Sequence, residues 1–129
     1  MKKSLLLSFV LFVAVSFAQK APHLKFKEPK HDLGYIQKGD IDTLNYEFTN
    51  DGGQPLVFKD FKVECSCTKV FFPKDPVLPG ATGFVMVVFD SKGWNGFQDR
   101  KVVILSNAKN DEETLHFKCE VLAKRKLGF

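Results

Sequence analysis

Cys65 and Cys67, one residue apart, are the side chains of this 129-residue sequence whose type and spacing carry chemistry by themselves. Two thiols so close serve one of three ends: they pack as structural groups, they form a redox or mixed disulfide, or they hold a soft ion such as Cu(I) or Zn as thiolates. A metal site wants a third or fourth ligand, and the nearest histidine along the chain is His31. A bridge within the pair wants a turn. Residues i and i+2 of an extended strand stand about 6.5 to 7 Å apart at Cβ, against about 3.5 to 4.5 Å in a disulfide. Joining Cys65 to Cys67 therefore requires the chain to turn at Ser66, and the three readings stay open.

The third cysteine, Cys119, alternates in step with Leu115, Phe117 and Val121, and a free cysteine packs as a small hydrophobe. It is expected as a buried free thiol, slow to alkylate, with Cys65 and Cys67 the accessible or reactive pair. Trp94, set between Gly93 and Asn95-Gly96, is the candidate binding residue. It is either an exposed anchor of the kind that dominates interfaces or a lid folded over the open end of the core.

The remaining reactive types are dispersed. His23, His31 and His116 are too scattered for a ligand set, and Asp42, Glu47, Asp51 and Asp60 read as solvated faces and turns. Neither Gly-x-Ser-x-Gly, His-Glu-x-x-His nor a phosphate-cradling Gly-x-x-x-x-Gly-Lys occurs. No enzyme and no cofactor is expected.

The elements that must position these residues are strands. Leu44, Tyr46 and Phe48 alternate with Asn45, Glu47 and Thr49, which puts three large apolar groups on one face. The sequence Asn50-Asp51-Gly52-Gly53 then predicts a hairpin-like turn with positive-φ residues. Residues 55–64 read as a strand buried on both faces for part of its length. Residues 69–72 form a short strand, and the three prolines of residues 73–80 make that stretch a crossing loop. Runs at 83–90, 97–105 and around Leu115, Phe117, Cys119 and Val121, with shorter ones at 24–26 and 32–36, bring the total to seven or eight strands. This rhythm favours an all-β, immunoglobulin-like β-sandwich. In its strand order the 55–64 strand and the last strand each pair with the one between them, about 9 to 10 Å apart. That distance exceeds the roughly 7 Å Cα limit of a disulfide to Cys119.

At the N-terminus, Lys2 and Lys3 precede an apolar run over residues 5–17 and a small-x-small site at Ser16-Phe17-Ala18. This is the form of a signal peptide over residues 1–18, cleaved after Ala18. The run reaches roughly 20 Å as a helix, short of the about 30 Å hydrocarbon core of a bilayer, so no membrane span is expected after cleavage. Residues 19–129 then form one domain, periplasmic or secreted, with no cysteine near the new N-terminus. Cleavage removes two lysines and no acids, lowering the formal charge from +4 to +2. Lysines interleave with acids throughout, and Lys124-Arg125-Lys126 reads as a solvated tail, so no nucleic-acid partner is expected.

The run Cys65-Ser66-Cys67-Thr68, followed by Phe72-Pro73-Lys74-Asp75-Pro76, Pro79-Gly80, Val88-Phe89-Asp90, Gly96 and Ser106-Asn107-Ala108, resembles the bacterial family named domain of unknown function 1573. His31-Asp32-Leu33-Gly34 and Phe48-Thr49-Asn50 extend the resemblance over nearly the whole mature chain. It implies an exported, immunoglobulin-like sandwich typical of Bacteroidetes, without an established activity. The family usually carries glycine between the two cysteines where this chain has Ser66, and a positive-φ turn there would strain serine. The expected function is a non-catalytic binding or structural module of the bacterial cell envelope, holding a protein partner. The alternative is thiol-dependent redox or soft-metal handling by Cys65 and Cys67.

Overall fold

The computed structural model describes residues 20–123. The expected signal segment, its expected cleavage after Ala18 and the Lys124-Arg125-Lys126 tail lie outside the described residues. Within them eight strands form and no helix: β1 (Leu24–Phe26), β2 (Lys30–Gln37), β3 (Ile41–Asn50), β4 (Phe58–Val63), β5 (Thr68–Phe71), β6 (Thr82–Asp90), β7 (Gly96–Ser106) and β8 (Glu112–Leu122).

Period-2 alternation decides which face each strand buries. In β3, Leu44, Tyr46 and Phe48 turn inward while Asn45 stays exposed. Val85, Val87 and Phe89 of β6, Val102 and Ile104 of β7 and Leu115, Phe117 and Cys119 of β8 do the same. Each large side chain buried this way contributes roughly 1.5 to 3 kcal/mol. Aromatic rings lock the two layers together, Phe48 meeting Phe58 at 5.0 Å and Phe89 meeting Phe117 at 5.2 Å between centroids.

The strands divide into two four-stranded sheets, β1-β3-β6-β5 and β2-β8-β7-β4. The order β4-β7-β8 is the one expected of an immunoglobulin-like sandwich, with the 55–64 strand and the last strand each paired to the one between them. Three local expectations are corrected. Residues 50–53 make no hairpin, because β3 and β4 belong to different sheets. Nor does that turn use positive φ: Gly52 is there because a Cβ would lie 2.2 Å from the Ala21 carbonyl oxygen, where residues 20–23 pass over it. Residues 55–64 are not a strand buried on both faces: a register shift between Phe58 and Asp60 brings Phe61 onto the face of Phe58, so both reach the core while Lys59, Asp60 and Lys62 stay exposed. Leu56 lies before β4 and bridges Val77 of the crossing loop.

Candidate functional site

Between β4 and β5 the chain leaves one sheet for the other, and Cys65 and Cys67 sit on that corner. The corner folds Ser66 into a turn, in which the Thr68 amide donates to the Cys65 carbonyl at 3.3 Å. The two Cα atoms come within 5.3 Å and the side chains form a disulfide. The extended-strand geometry that disfavours such a bridge does not apply where the chain changes sheets. No residue other than glycine takes positive φ among the described residues, so Ser66 meets no backbone strain at this turn.

Thr68 opens β5 with its side chain buried, and its hydroxyl oxygen stands 3.7 Å from Cys67 Sγ and 3.9 Å from Cys65 Sγ. The Asp90 amide donates to the Cys67 carbonyl at 2.9 Å, tying the corner to the end of β6. Cys67 packs against the core. A bridge across one intervening residue withdraws little freedom from the unfolded chain, worth roughly 1.5 kcal/mol against about 3 kcal/mol for a 15-residue loop.

The facing wall is the loop between β6 and β7. Ser91, fully buried, pins it to the β2–β3 turn. Its amide donates to the Asp40 carbonyl at 3.1 Å, and its hydroxyl oxygen lies 2.8 Å from that carbonyl and accepts from the Gly39 amide at 3.0 Å. The Trp94 amide in turn donates to the Ser91 carbonyl at 3.0 Å. Arg100, on the inward parity of β7 opposite Phe117, lies over the Trp94 ring with Cζ 4.0 Å from its centroid. Its Nη2 donates to Gln98 Oε1 at 2.7 Å, and its Nη1 stands 3.9 Å from Glu64 Oε2. Between the two walls opens a cleft of about 640 Å³ lined by Ile41, Cys65, Cys67, Lys69, Lys92 and Trp94, among others.

The family model described as a protein of unknown function, DUF1573, matches residues 24–121. The chain belongs to this family. Among solved structures it is similar to a protein of unknown function from Porphyromonas gingivalis W83, 18% identical with a TM-score of 0.68, covering 85% of this chain and 51% of that one. It also resembles the secreted serine protease VesC from Vibrio cholerae, 19% identical with a TM-score of 0.59, over 78% of this chain and 23% of the protease. A third likeness is to the ASH / PapD-like domain of human CEP192, 8% identical with a TM-score of 0.61, over 82% and 89% of the two chains. At these identities the likeness is one of fold: an immunoglobulin-like sandwich. The chain spans about half the length of the Porphyromonas protein and about a quarter of VesC. No curated protein matches the sequence.

In this DUF1573 chain the three residues singled out from sequence, Cys65, Cys67 and Trp94, line one cleft. Trp94 is half-buried, packed against the core and also lining the opening, so it is both cover and wall. Cys119 is a free thiol, 2% exposed. Burial pushes its pKa up, the Asp42 carboxylate adds to the rise, and Arg100 opposes it.

The three histidines form no single cluster, although His31 and His116, on the paired strands β2 and β8, line one surface pocket. His23 pairs with Asp51, while His31 meets the Tyr46 ring at 4.4 Å. Among the described residues no group of three or more His, Cys, Asp or Glu side chains is placed to hold a metal ion. Asp42 departs from the solvated role expected of it. It shares the inward parity of Leu44, its Oδ2 is buried without a partner among the described residues, and burial with the nearby Asp40 charge raises its pKa. Sequence reasoning missed Thr68, Ser91 and Arg100. Only Arg100 left a signal, since it shares its parity with Val102 and Ile104.

Proposed function

We propose that this chain is a non-catalytic, exported binding module of the bacterial cell envelope, holding a protein partner across the Trp94 cleft and the adjoining outer face of the β1-β3-β6-β5 sheet. The observation that carries this reading is an apolar strip on that face. Phe84, Met86 and Val88 run down β6, with Phe71 opposite Met86 on β5 and Ile41 opposite Asp90 on β3. Ile41, Phe84 and Phe71 are 65%, 58% and 51% exposed, and Val88 and Ile41 also line the cleft. A contiguous apolar surface rimmed by charge, here Lys69, Asp90 and Lys92, is the form an interaction site takes. Export is supported by the signal-like N-terminus and by the disulfide, since such bonds persist in oxidising compartments. Among the described residues no helix is long and apolar enough to cross a membrane.

The thiols that soft-metal handling needs are joined to each other, which favours the binding reading over the metal one. Affinity capture from the native envelope, run beside Trp94→Ala and Phe84→Glu, tests the proposal. A partner retained by the parent and lost from both variants supports it. Equal capture by all three proteins overturns it.

A further inference from the structure

We propose that the Cys65–Cys67 disulfide is an exchangeable two-electron acceptor, reduced by the dithiol of a partner protein that enters the Trp94 cleft. Three observations converge. The bond joins residues already held in one turn and tied to β6, so the fold has little use for it as a staple. It borders an open cleft lined by Lys69 and Lys92 against the single carboxylate of Asp90, and a net positive surrounding favours a thiolate. The buried Thr68 hydroxyl reaches both sulfurs, a polar group committed to the one place where negative charge would develop.

The geometry also sets the direction of attack. Cys67 is packed against the core and Cys65 is not, so the incoming thiolate attacks Cys65 Sγ. The Cys65–Cys67 bond breaks, and Cys67 Sγ leaves as a thiolate that accepts a hydrogen bond from Thr68 Oγ1, the nearer contact at 3.7 Å. The partner's second thiol then attacks the partner sulfur of the mixed disulfide and displaces Cys65. In sum the chain gains two electrons and two protons, and the partner dithiol becomes a disulfide. Thr68 is a positioning residue in this exchange.

This chemistry goes beyond the binding reading and is tested without a partner. The purified protein is equilibrated in glutathione and glutathione disulfide mixtures, quenched in acid and alkylated, and its single tryptophan reports the cleft by fluorescence. Cys65 and Cys67 are expected to open and close together, reversibly, within the glutathione range, with circular dichroism unchanged and Cys119 unlabelled. Thr68→Val should slow exchange about tenfold, the scale of losing a hydrogen bond to a charged group, and Thr68→Ser should restore it. Cys67→Ser should capture glutathione on Cys65 faster than Cys65→Ser captures it on Cys67. A bond that stays closed across all glutathione mixtures, or opens only as the sandwich unfolds, overturns the proposal. Equal rates for Thr68→Val and the parent overturn the role of Thr68. Either failure leaves the partner-capture result standing on its own.

Discussion

The two ends of the sandwich are closed by different means. At the end where β3 finishes, Asn50 is fully buried. Its Nδ2 donates to the Gln54 and Val77 carbonyls at 2.7 and 2.9 Å, and its Oδ1 accepts from the Gly52 and His23 amides at 3.1 and 3.3 Å. One side chain thereby satisfies three loops. Asn110 does the same for Leu24, accepting from its amide at 3.1 Å and donating to its carbonyl at 2.7 Å. At the other end the closure is a half-buried indole under a guanidinium, a short disulfide corner and an open cleft. Every polar atom of the first end named here has a partner inside the chain. The second end holds Asp42 Oδ2 and Arg100 Nε buried without one among the described residues. Fixed amides make a rigid seal, whereas unspent polar atoms and exposed apolar ones gather at the end where the proposed partner would bind.

If the comparison holds, the largest loss of stability comes from the sealed end. Asn50→Ala should cost about 3 to 5 kcal/mol, because it strands buried backbone groups on three loops. Denaturant unfolding reads this directly. Trp94→Ala should cost less, about 1 to 2 kcal/mol, since the ring is half-buried and its stacking on Arg100 is partly solvated. A loss on the scale of a fully buried aromatic, about 3 to 5 kcal/mol, would make Trp94 a lid and nothing more. The double variant Cys65→Ser with Cys67→Ser should cost roughly 1.5 kcal/mol, the stabilisation such a short loop allows. A much larger drop in the same unfolding assay would make the corner a structural staple.

The smallest effect is electrostatic and separates the ends by pH. Asp42 titrates above its ordinary value of 3.8 in the folded chain, so the folded state holds that proton more tightly than the unfolded one. Its contribution is favourable below that ordinary value and is lost as pH rises through the raised one. Asp42→Asn should therefore be more stable than the parent at neutral pH, by under about 1 kcal/mol given solvent screening. The difference should vanish in acid. A variant less stable than the parent at neutral pH would show that Asp42 has a partner in solution.

Much of this architecture is legible residue by residue. Leu44, Tyr46 and Phe48 announce a strand and its inward face, and Cys119 is placed in the core by the company of Leu115, Phe117 and Val121. The candidate site is only half legible. Cys65, Cys67 and Trp94 stand out by type, but nothing in the 26 positions between Cys67 and Trp94 says that they share a cleft. Thr68 is an ordinary strand residue until the corner brings its hydroxyl to both sulfurs. Ser91 lies in a run of turn formers, and its hold on the β2–β3 turn depends on a segment some fifty residues earlier.

What the sequence determined by itself is local: alternation sets the strands and their buried faces, prolines make residues 73–80 a loop, and the seven-to-eight-strand rhythm points to a sandwich. These follow from the two-residue period of an extended chain and from backbone limits at proline, which act on neighbours and need no distant partner. Tertiary structure alone decided which sheet each strand joins. It set β2 parallel to β8, with Lys30 opposite His116, sent the chain across sheets at Cys65 and Cys67, and laid Arg100 over Trp94. Such choices compare the burial of whole faces against alternatives far apart in the chain. They leave no local mark, because an edge strand alternates in the same way whichever neighbour it pairs with.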